Sequence, residues 1–148
     1  MANVQVGQEA PDFTLRNESL QAVTLSSLRG KPVVIFFFPA AFSGFCTAEA
    51  CAYRDDTSLF EDKEAIIFGI SRDGPFALKA FKEKENLPYG LLADMKGDVA
   101  KIYGCWNEAG AFAERLTVVI DKAGKITYVE HNGPGQIRDQ KLALAALG

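Results

Sequence analysis

An uninterrupted apolar run from Val33 to Phe38 (VVIFFF) constrains the fold of this chain more than any other feature. A run without polar alternation is typical of a strand that is buried on both faces, as in parallel sheets covered by helices. A helical pattern from about Gly44 to Phe60 follows it. The residues between them, from Pro39 to Ser43, therefore form a strand-to-helix turn, and Cys46 lies in the first turn of the helix.

The segments after this helix predict a βαβ unit that is followed by a hairpin and a helix. Ala65 to Ser71 (AIIFGIS) is a second continuous apolar strand, and Asp73-Gly-Pro75 is typical of a helix start with Asp73 as its cap. That helix ends near Asn86, and the residues expected on its inner face are Phe76, Ala77, Ala80 and Phe81. The later patterns predict a strand at Leu91–Ala93, a helix at Asp98–Tyr103 and a loop at Gly104–Glu114. They then predict strands at Leu116–Asp121 and Lys125–Glu130 and a last helix at Gln136–Leu147. The residues expected on the inner face of that helix are Ile137, Leu144 and Leu147.

Two short alternating runs near the N-terminus, Phe13–Leu15 and Val23–Leu25, predict a hairpin, and Ser26–Arg29 predicts one helical turn. Alternating strands and helices imply parallel strands with right-handed crossovers, whereas the closing hairpin adds antiparallel strands. The sequence therefore predicts an α/β, thioredoxin-like fold: a mixed central sheet flanked by helices, with an N-terminal β-hairpin and an insert, Leu87–Glu114, before the last hairpin. Ligands of such sheets bind beyond the carboxyl ends of the strands, where Pro39–Cys46 lies.

Length and charge exclude several classes of protein. The 148 residues, 48% of them hydrophobic, fit one domain spanning residues 1–148. A net charge of −3 with interleaved signs offers no basic surface for nucleic acid or an anionic membrane, and the longest apolar stretch is too short to span a bilayer. The first residues lack the basic and apolar segments of a signal peptide, so we expect a cytoplasmic protein.

The three cysteines, Cys46, Cys51 and Cys105, are an odd and sparse set that does not fit a secreted domain held by disulfides. In a reducing compartment a disulfide is more typical of catalysis or sensing. The free N–H groups and the dipole of a helix start favour a thiolate at Cys46, and Ser43 can cap that helix. Five helical residues turn the chain by about 500°, so Cys46 and Cys51 point about 140° apart and can join only if the first turns unwind.

The turn that contains Cys46 resembles the peroxiredoxin active-site motif, since Pro39-Ala-Ala-Phe-Ser43-Gly-Phe-Cys46-Thr-Ala-Glu49 matches P-x-x-x-[ST]-x-x-C followed by T-x-E. Three more segments are similar to that family in the same order, at Val6–Leu15, Ala93–Gly104 and Arg115–Asp121. The resemblance thus covers essentially the whole chain. Cys51 stands where the single-domain bacterioferritin-comigratory (Q-type) branch carries its resolving cysteine, whereas the preceding turn is more similar to the alkyl-hydroperoxide-reductase-E branch.

The resemblance implies a thiol-dependent peroxidase that reduces hydrogen peroxide and alkyl hydroperoxides and uses neither cofactor nor metal. A thioredoxin-like or other thiol reductant would regenerate it, and it would be a monomer or homodimer. The resemblance implies that Cys46 is the peroxidatic cysteine and Cys51 the resolving cysteine. Ser43 would hydrogen-bond the peroxide, and Arg115 would stabilise the thiolate and polarise the O–O bond. Pro39 would shield the pocket, and Glu49 would position the arginine. Ser43 replaces the commoner Thr, and Gly44 replaces a Pro that is common in the Q-type branch.

Other interpretations of these residues remain open. Cys46 and Cys51 could be buried structural thiols, Cys105 beside Trp106 is expected to serve packing, and His131 is expected to be exposed, outside any Cys–His dyad or zinc site. The alternative functions are a one-cysteine peroxidase that an external thiol resolves, a peroxide sensor or thiol–disulfide relay, and a general thiol–disulfide oxidoreductase. The last is disfavoured because the chain has no CxxC pair.

Overall fold

The structure is a computed structural model that describes residues 4–132 and 140–147. Its elements in chain order are β1 (Thr14–Asn17), β2 (Ala22–Thr24), a 3₁₀ helix (Leu25–Leu28), β3 (Val33–Phe37), α1 (Gly44–Asp55), α2 (Thr57–Glu61), β4 (Ile66–Ser71), α3 (Pro75–Glu85), β5 (Gly90–Ala93), α4 (Asp98–Tyr103), β6 (Trp106–Asn107), β7 (Phe112–Ala113), β8 (Arg115–Ile120), β9 (Ile126–Asn132) and α5 (Gln140–Ala145).

A seven-stranded mixed sheet in the order β2-β1-β5-β4-β3-β8-β9 forms the centre of the fold. Strands β3, β4 and β5 run parallel, and the β1–β2 and β8–β9 hairpins join the two sides of this group in antiparallel pairs. Helices cover both faces. The sheet confirms the predicted α/β fold, including the N-terminal hairpin and the closing hairpin.

Strand β3 is buried on both faces because its side chains alternate between two cores. Val33, Ile35 and Phe37 pack on the side that α4 covers, whereas Val34 and Phe36 pack on the side that α1, α3 and α5 cover. A Cβ added at Gly69 of β4 would lie only 2.8 Å from the ring of Phe36, so the glycine makes room for that ring. The continuous apolar run is thus explained by burial on two sides.

The helix predicted from Gly44 to Phe60 is two helices, α1 and α2, which is a correction to the sequence interpretation. The backbone leaves the helical region at Asp56, with φ −99° and ψ 10°. The Thr57 hydroxyl donates to the carbonyl of Tyr53, and the side-chain amide of Gln140 donates to the carboxylate of Asp56. The Thr57 hydroxyl thus competes with the helical hydrogen bonds for the Tyr53 carbonyl, next to the break.

The inner face of α3 also differs from the prediction. Phe76 is 77% exposed, and the buried residues of the helix are Pro75, Leu78 and Phe81. The helix begins at Pro75 with Gly74 as its cap, and its buried positions recur every third residue. Of the predicted inner residues only Phe81 is buried, whereas Ala77 and Ala80 are exposed with Phe76. The carboxylate of Asp73 does not cap the helix and is used by the preceding loop instead.

Two further segments refine the predicted elements. The segment expected to be a loop between Gly104 and Glu114 contains a small hairpin of β6 and β7. The last helix is described from Gln140 to Ala145, with Leu144 and Leu147 packed against the core as predicted, and the expected inner residue Ile137 lies outside the described residues. Among residues 4–132 and 140–147, no helix has both the length and the apolarity that crossing a membrane requires.

Candidate active site

The loop between β3 and α1 lies beyond the carboxyl end of the central strand, as the sequence predicts. Phe42 in this loop has a positive φ of 68°, an uncommon conformation for a residue with a side chain. Its ring packs edge-on against Phe81 of α3 at a centroid distance of 5.1 Å. The following residue, Ser43, is extended and precedes the first helical residue, Gly44. The loop is therefore held in one conformation by a contact with the neighbouring helix.

Cys46 is the third residue of α1 and is only 1% exposed. Its sulfur accepts a hydrogen bond of 3.2 Å from Nη2 of Arg115, the first residue of β8. Strand β8 pairs antiparallel with β3, and the pair Phe37 and Leu116 places Arg115 just beyond the end of β3. The sulfur of Cys46 therefore has a cationic hydrogen-bond donor beside it and lies in the first turn of α1.

The same guanidinium binds a buried carboxylate. Nη1 of Arg115 donates to Oε1 of Glu49 at 3.2 Å, and both side chains are 1% exposed. Glu49 lies one helical turn after Cys46 on the inner face of α1. The structure therefore brings together three of the residues singled out in the sequence, with Arg115 between the sulfur and the carboxylate.

Asp73 is a site residue that the sequence reasoning assigned wrongly. Its Oδ2 accepts a hydrogen bond of 2.8 Å from the backbone N–H of Ala41 and one of 2.7 Å from the hydroxyl of Ser71. Asp73 thus ties the loop before α1 to the carboxyl end of β4. The sequence contains a signal for this position, because Ser71 ends a buried parallel strand and Asp73 follows it, and functional groups of α/β folds lie at such strand ends.

Pro39 and Ser43 lie in the same loop, and the Ser43 side chain does not make the hydrogen bond expected of a helix cap. The Ser43 hydroxyl donates to the carbonyl of Ala40 at 3.1 Å, and no side-chain capping bond forms at the start of α1. Ser43 therefore occupies the N-cap position as predicted, but its hydroxyl closes the turn instead of capping the helix. Pro39 is half-buried directly after β3 and Phe38.

Cys51 is directed away from the Cys46 cluster, toward α3. Its thiol is half-buried and donates to Oε1 of Glu85 at 3.4 Å. Burial raises the pKa of the Cys51 thiol, and the hydrogen bond to Glu85 raises this pKa further. Cys46 and Cys51 are both free thiols, so the structure is that of a reduced protein in which α1 is intact through both positions.

The remaining candidate residues lie outside this cluster. Cys105 is 1% exposed and packs in the core on the α4 side, in agreement with the packing role expected for it. His131 is half-buried rather than exposed, because β9 continues to Asn132 and pairs His131 with Leu116. Its Nε2 lies 2.9 Å from a carboxylate oxygen of Glu114. His131 thus belongs to the sheet edge and not to the Cys46 cluster.

The chain is similar to known proteins along nearly its whole length. The profile of the AhpC/TSA family matches residues 6–129. Alkyl hydroperoxide reductase E of Mycobacterium tuberculosis (strain ATCC 25618 / H37Rv) is 41% identical over 150 residues, which cover 97% of this chain and 98% of that protein. Chloroplastic peroxiredoxin Q of Oryza sativa subsp. japonica is 41% identical over 130 residues, which cover 87% of this chain and 60% of that protein.

A solved structure gives the same relationship. The crystal structure of peroxidoxin BcpB from Mycobacterium tuberculosis matches with a TM-score of 0.88 and 34% sequence identity, over 98% of this chain and 97% of that chain. The fold, the ordered motifs and these relatives agree with one another. The chain therefore belongs to the AhpC/TSA family, which confirms its predicted resemblance to the peroxiredoxins.

Proposed function

We propose that this chain is a thiol-dependent peroxidase that reduces hydrogen peroxide and alkyl hydroperoxides, with Cys46 as the reacting thiol. The proposal rests on the position of the Arg115 guanidinium. Its Nη2 lies 3.2 Å from the sulfur of Cys46, and its Nη1 lies 3.2 Å from Oε1 of Glu49. The names of the relatives, an alkyl hydroperoxide reductase and a peroxiredoxin, support the same reaction class.

In the first step the Cys46 thiolate attacks the terminal oxygen of the peroxide. The S–O bond forms as the O–O bond breaks, the sulfur is oxidised to a sulfenic acid, and the leaving oxygen takes a proton and departs as water or an alcohol. Arg115 stabilises the thiolate and the charge that develops on the peroxide oxygens. Glu49 holds the guanidinium in place, Ser43 hydrogen-bonds the peroxide, and Pro39 limits access of water.

In the second step Cys51 resolves the sulfenic acid. The first turns of α1 unwind, the sulfur of Cys51 attacks that of Cys46, a disulfide forms, and the oxygen leaves as water. A thioredoxin-like or other dithiol then reduces this disulfide by exchange and is itself oxidised. The protein works as a single domain of residues 1–148 in the cytoplasm, as a monomer or homodimer.

A second candidate is a one-cysteine peroxidase in which an external thiol resolves Cys46. The observation that favours it is the placement of Cys51 against Glu85 of α3, on the side of α1 away from Arg115. A peroxide sensor or relay, in which a partner protein takes over the disulfide, uses the same first step. These candidates differ only in what reacts with the sulfenic acid.

The test adds one equivalent of hydrogen peroxide to the reduced protein, quenches within seconds, and maps the peptides by mass. A Cys46–Cys51 disulfide supports the two-cysteine mechanism, and a sulfenic or sulfinic Cys46 with Cys51 free supports the one-cysteine mechanism. Retention of fast peroxide consumption by Cys46→Ser, with Cys105→Ser as the matched thiol control, would refute the peroxidase proposal. A mixed disulfide with a protein other than a reductase would favour the relay.

A further inference from the structure

Two hydrogen bonds from α1, one of them from the Cys51 thiol, end at the same residue in the last turn of α3. Cys51 donates to Oε1 of Glu85 at 3.4 Å, and Nη1 of Arg54 donates to the backbone carbonyl of Glu85 at 2.7 Å. Cys51 and Arg54 both belong to α1, and Glu85 is the last residue of α3. This contact therefore joins the part of α1 that carries Cys51 to a separate helix.

Among the described residues, charged or titratable groups on three elements face the Cys51 thiol. Arg54 and Asp55 lie on α1, Glu85 lies on α3, and Tyr89 lies just before β5. Tyr89 stays a neutral hydroxyl, because burial raises its pKa well above the usual value, and it donates to the carbonyl of Ala50 at 2.7 Å. Arg54 lowers the pKa of Cys51, whereas Glu85 and Asp55 raise it, and Glu85 is the group in direct contact.

We infer that Glu85 is a positioning residue that keeps Cys51 a docked thiol while α1 is folded, and thereby restrains its attack on oxidised Cys46. The inference rests on the proposed function, in which Cys51 resolves the sulfenic acid. An S–H group that donates to a carboxylate is a poor nucleophile, since the thiolate would face a like charge. Unwinding of α1 separates Cys51 from Glu85 and removes this restraint at the moment that Cys51 reaches Cys46.

The groups already named account for every proton, bond and electron pair of the resolving step. Cys51 loses its thiol proton to solvent once it leaves Glu85, and the resulting thiolate attacks the sulfenic sulfur of Cys46. The S–S bond forms as the S–O bond breaks, and the departing hydroxide takes a proton to become water. The Cys51 sulfur is oxidised and the sulfenic sulfur is reduced, so the step needs no additional oxidant.

The first test measures the Cys51 thiol without any peroxide chemistry. In the Cys46→Ser background, alkylation of Cys51 by iodoacetamide is followed between pH 6 and 10 by peptide mass, with and without Glu85→Gln. We expect Glu85→Gln to move the midpoint of alkylation to lower pH and to raise the rate at pH 7 by roughly fivefold, a change comparable to one ordinary hydrogen bond. Glu83→Gln, an exposed carboxylate on the same helix, is the matched control and should change neither value.

The second test measures the resolving step in protein with all three cysteines. After rapid oxidation by one equivalent of peroxide, disulfide formation is timed by quenched mass analysis in the wild type, Glu85→Gln and Glu83→Gln. We expect Glu85→Gln to form the disulfide roughly fivefold faster, because the docking bond no longer opposes unwinding. The rate of the first step at Cys46 should stay at the wild-type value, since Glu85 is not in that cluster.

The outcomes separate this inference from the function on which it rests. Alkylation of Cys51 in Glu85→Gln with the wild-type midpoint, or disulfide formation that is unchanged or slower, would overturn the role given to Glu85 while leaving the peroxidase intact. If the midpoint shifts but neither the wild type nor the two variants form a Cys46–Cys51 disulfide, Cys51 is not the resolving cysteine. That result would also overturn the proposal that Glu85 restrains the resolving step. A shifted midpoint together with faster disulfide formation supports the inference.

Discussion

Nη2 of Arg115 lies 3.2 Å from the sulfur of Cys46, although 69 residues separate the two in sequence. The strand order of the sheet brings the two residues together, because β8 pairs with β3 and the helix α1 begins shortly after β3 ends. Both side chains are 1% exposed, so water does little to screen the contact. The proposed reaction of Cys46 with peroxide therefore depends on this contact.

Replacing Arg115 with Lys should slow the reaction of Cys46 with peroxide by about a hundredfold, the typical cost of removing one donor that stabilises developing charge. Lysine keeps the charge and loses the fork that reaches Cys46 and Glu49 together. The measurement is the second-order rate constant for peroxide by stopped-flow fluorescence. Arg16→Lys, in exposed β1, is the control, and an Arg115→Lys rate within about twofold of it would contradict the assigned role.

Glu49→Gln should lower both the stability of the protein and the peroxide rate. Removing the carboxylate deprives buried Arg115 of an acidic partner at 3.2 Å, and breaking a buried ion pair costs about 3 kcal/mol. Urea unfolding of the reduced protein gives the loss of stability, and stopped-flow kinetics give the rate. The exposed Glu61→Gln is the control. Unchanged unfolding of Glu49→Gln would mean that the pair contributes nothing to the fold.

Asp73→Asn should reduce the peroxide rate by about tenfold with little effect on stability, because displacement of a positioned group is costly in rate. The Ala41 N–H and the Ser71 hydroxyl both donate to one carboxylate oxygen, Oδ2, and the uncharged oxygen of an amide is a weaker acceptor for both bonds. The loop before α1 would then be held less firmly. Asp98→Asn, at the exposed start of α4, serves as control, and equal peroxide rates for the two variants would argue against loop positioning by Asp73.

The features that could be predicted correctly from the sequence are those that depend on a single strand or a short motif. The apolar run of β3 required burial on both faces, and this fixed the centre of the sheet and the location of the loop that leads to Cys46. The spacing of Cys46 and Glu49 on one helix is also a local property. The contact of both with Arg115 was expected only from the resemblance to a family, since spacing within one segment cannot show which distant strand lies alongside.

Features that depend on competition between side chains were predicted poorly. Ser43 and Asp73 are both residues that cap helices, yet each binds a loop group instead, at Ala40 and Ala41. The break at Asp56 is accompanied by a hydrogen bond from the Thr57 hydroxyl to the carbonyl of Tyr53. Local propensity ranks such residues as caps but cannot tell which of several nearby donors or carbonyls a side chain will reach.

Cys105→Ala should leave the peroxide rate and the Cys46–Cys51 disulfide unchanged. The side chain is 1% exposed among core residues on the α4 side of the sheet, so its removal should cost about 1 kcal/mol of stability through lost packing. Urea unfolding and the single-equivalent peroxide assay check the two parts. If the wild type formed additional disulfides after oxidation and Cys105→Ala did not form them, Cys105 would instead have a part in the redox reaction.

Asp94 should make the stability of the protein depend on pH in a direction opposite to that of a typical carboxylate. Its side chain is buried and accepts the backbone N–H groups of Val99 and Ala100 in the first turn of α4 at 3.2 Å and 2.9 Å. Burial raises the pKa of Asp94, and the two N–H groups oppose this only in part. The folded protein therefore holds the Asp94 proton more tightly than the unfolded chain does.

The stabilising effect of that proton is fully present below the ordinary aspartate pKa and is lost as the pH rises through the raised pKa of folded Asp94. Asp94→Asn carries no titrating group and keeps one acceptor oxygen, so it should be less stable than the wild type at low pH. This deficit should shrink as the pH rises. Urea unfolding of both proteins from pH 3.5 to 7, with exposed Asp62→Asn as control, measures the difference; a deficit that widens toward neutral pH would show that the capping bonds outweigh burial.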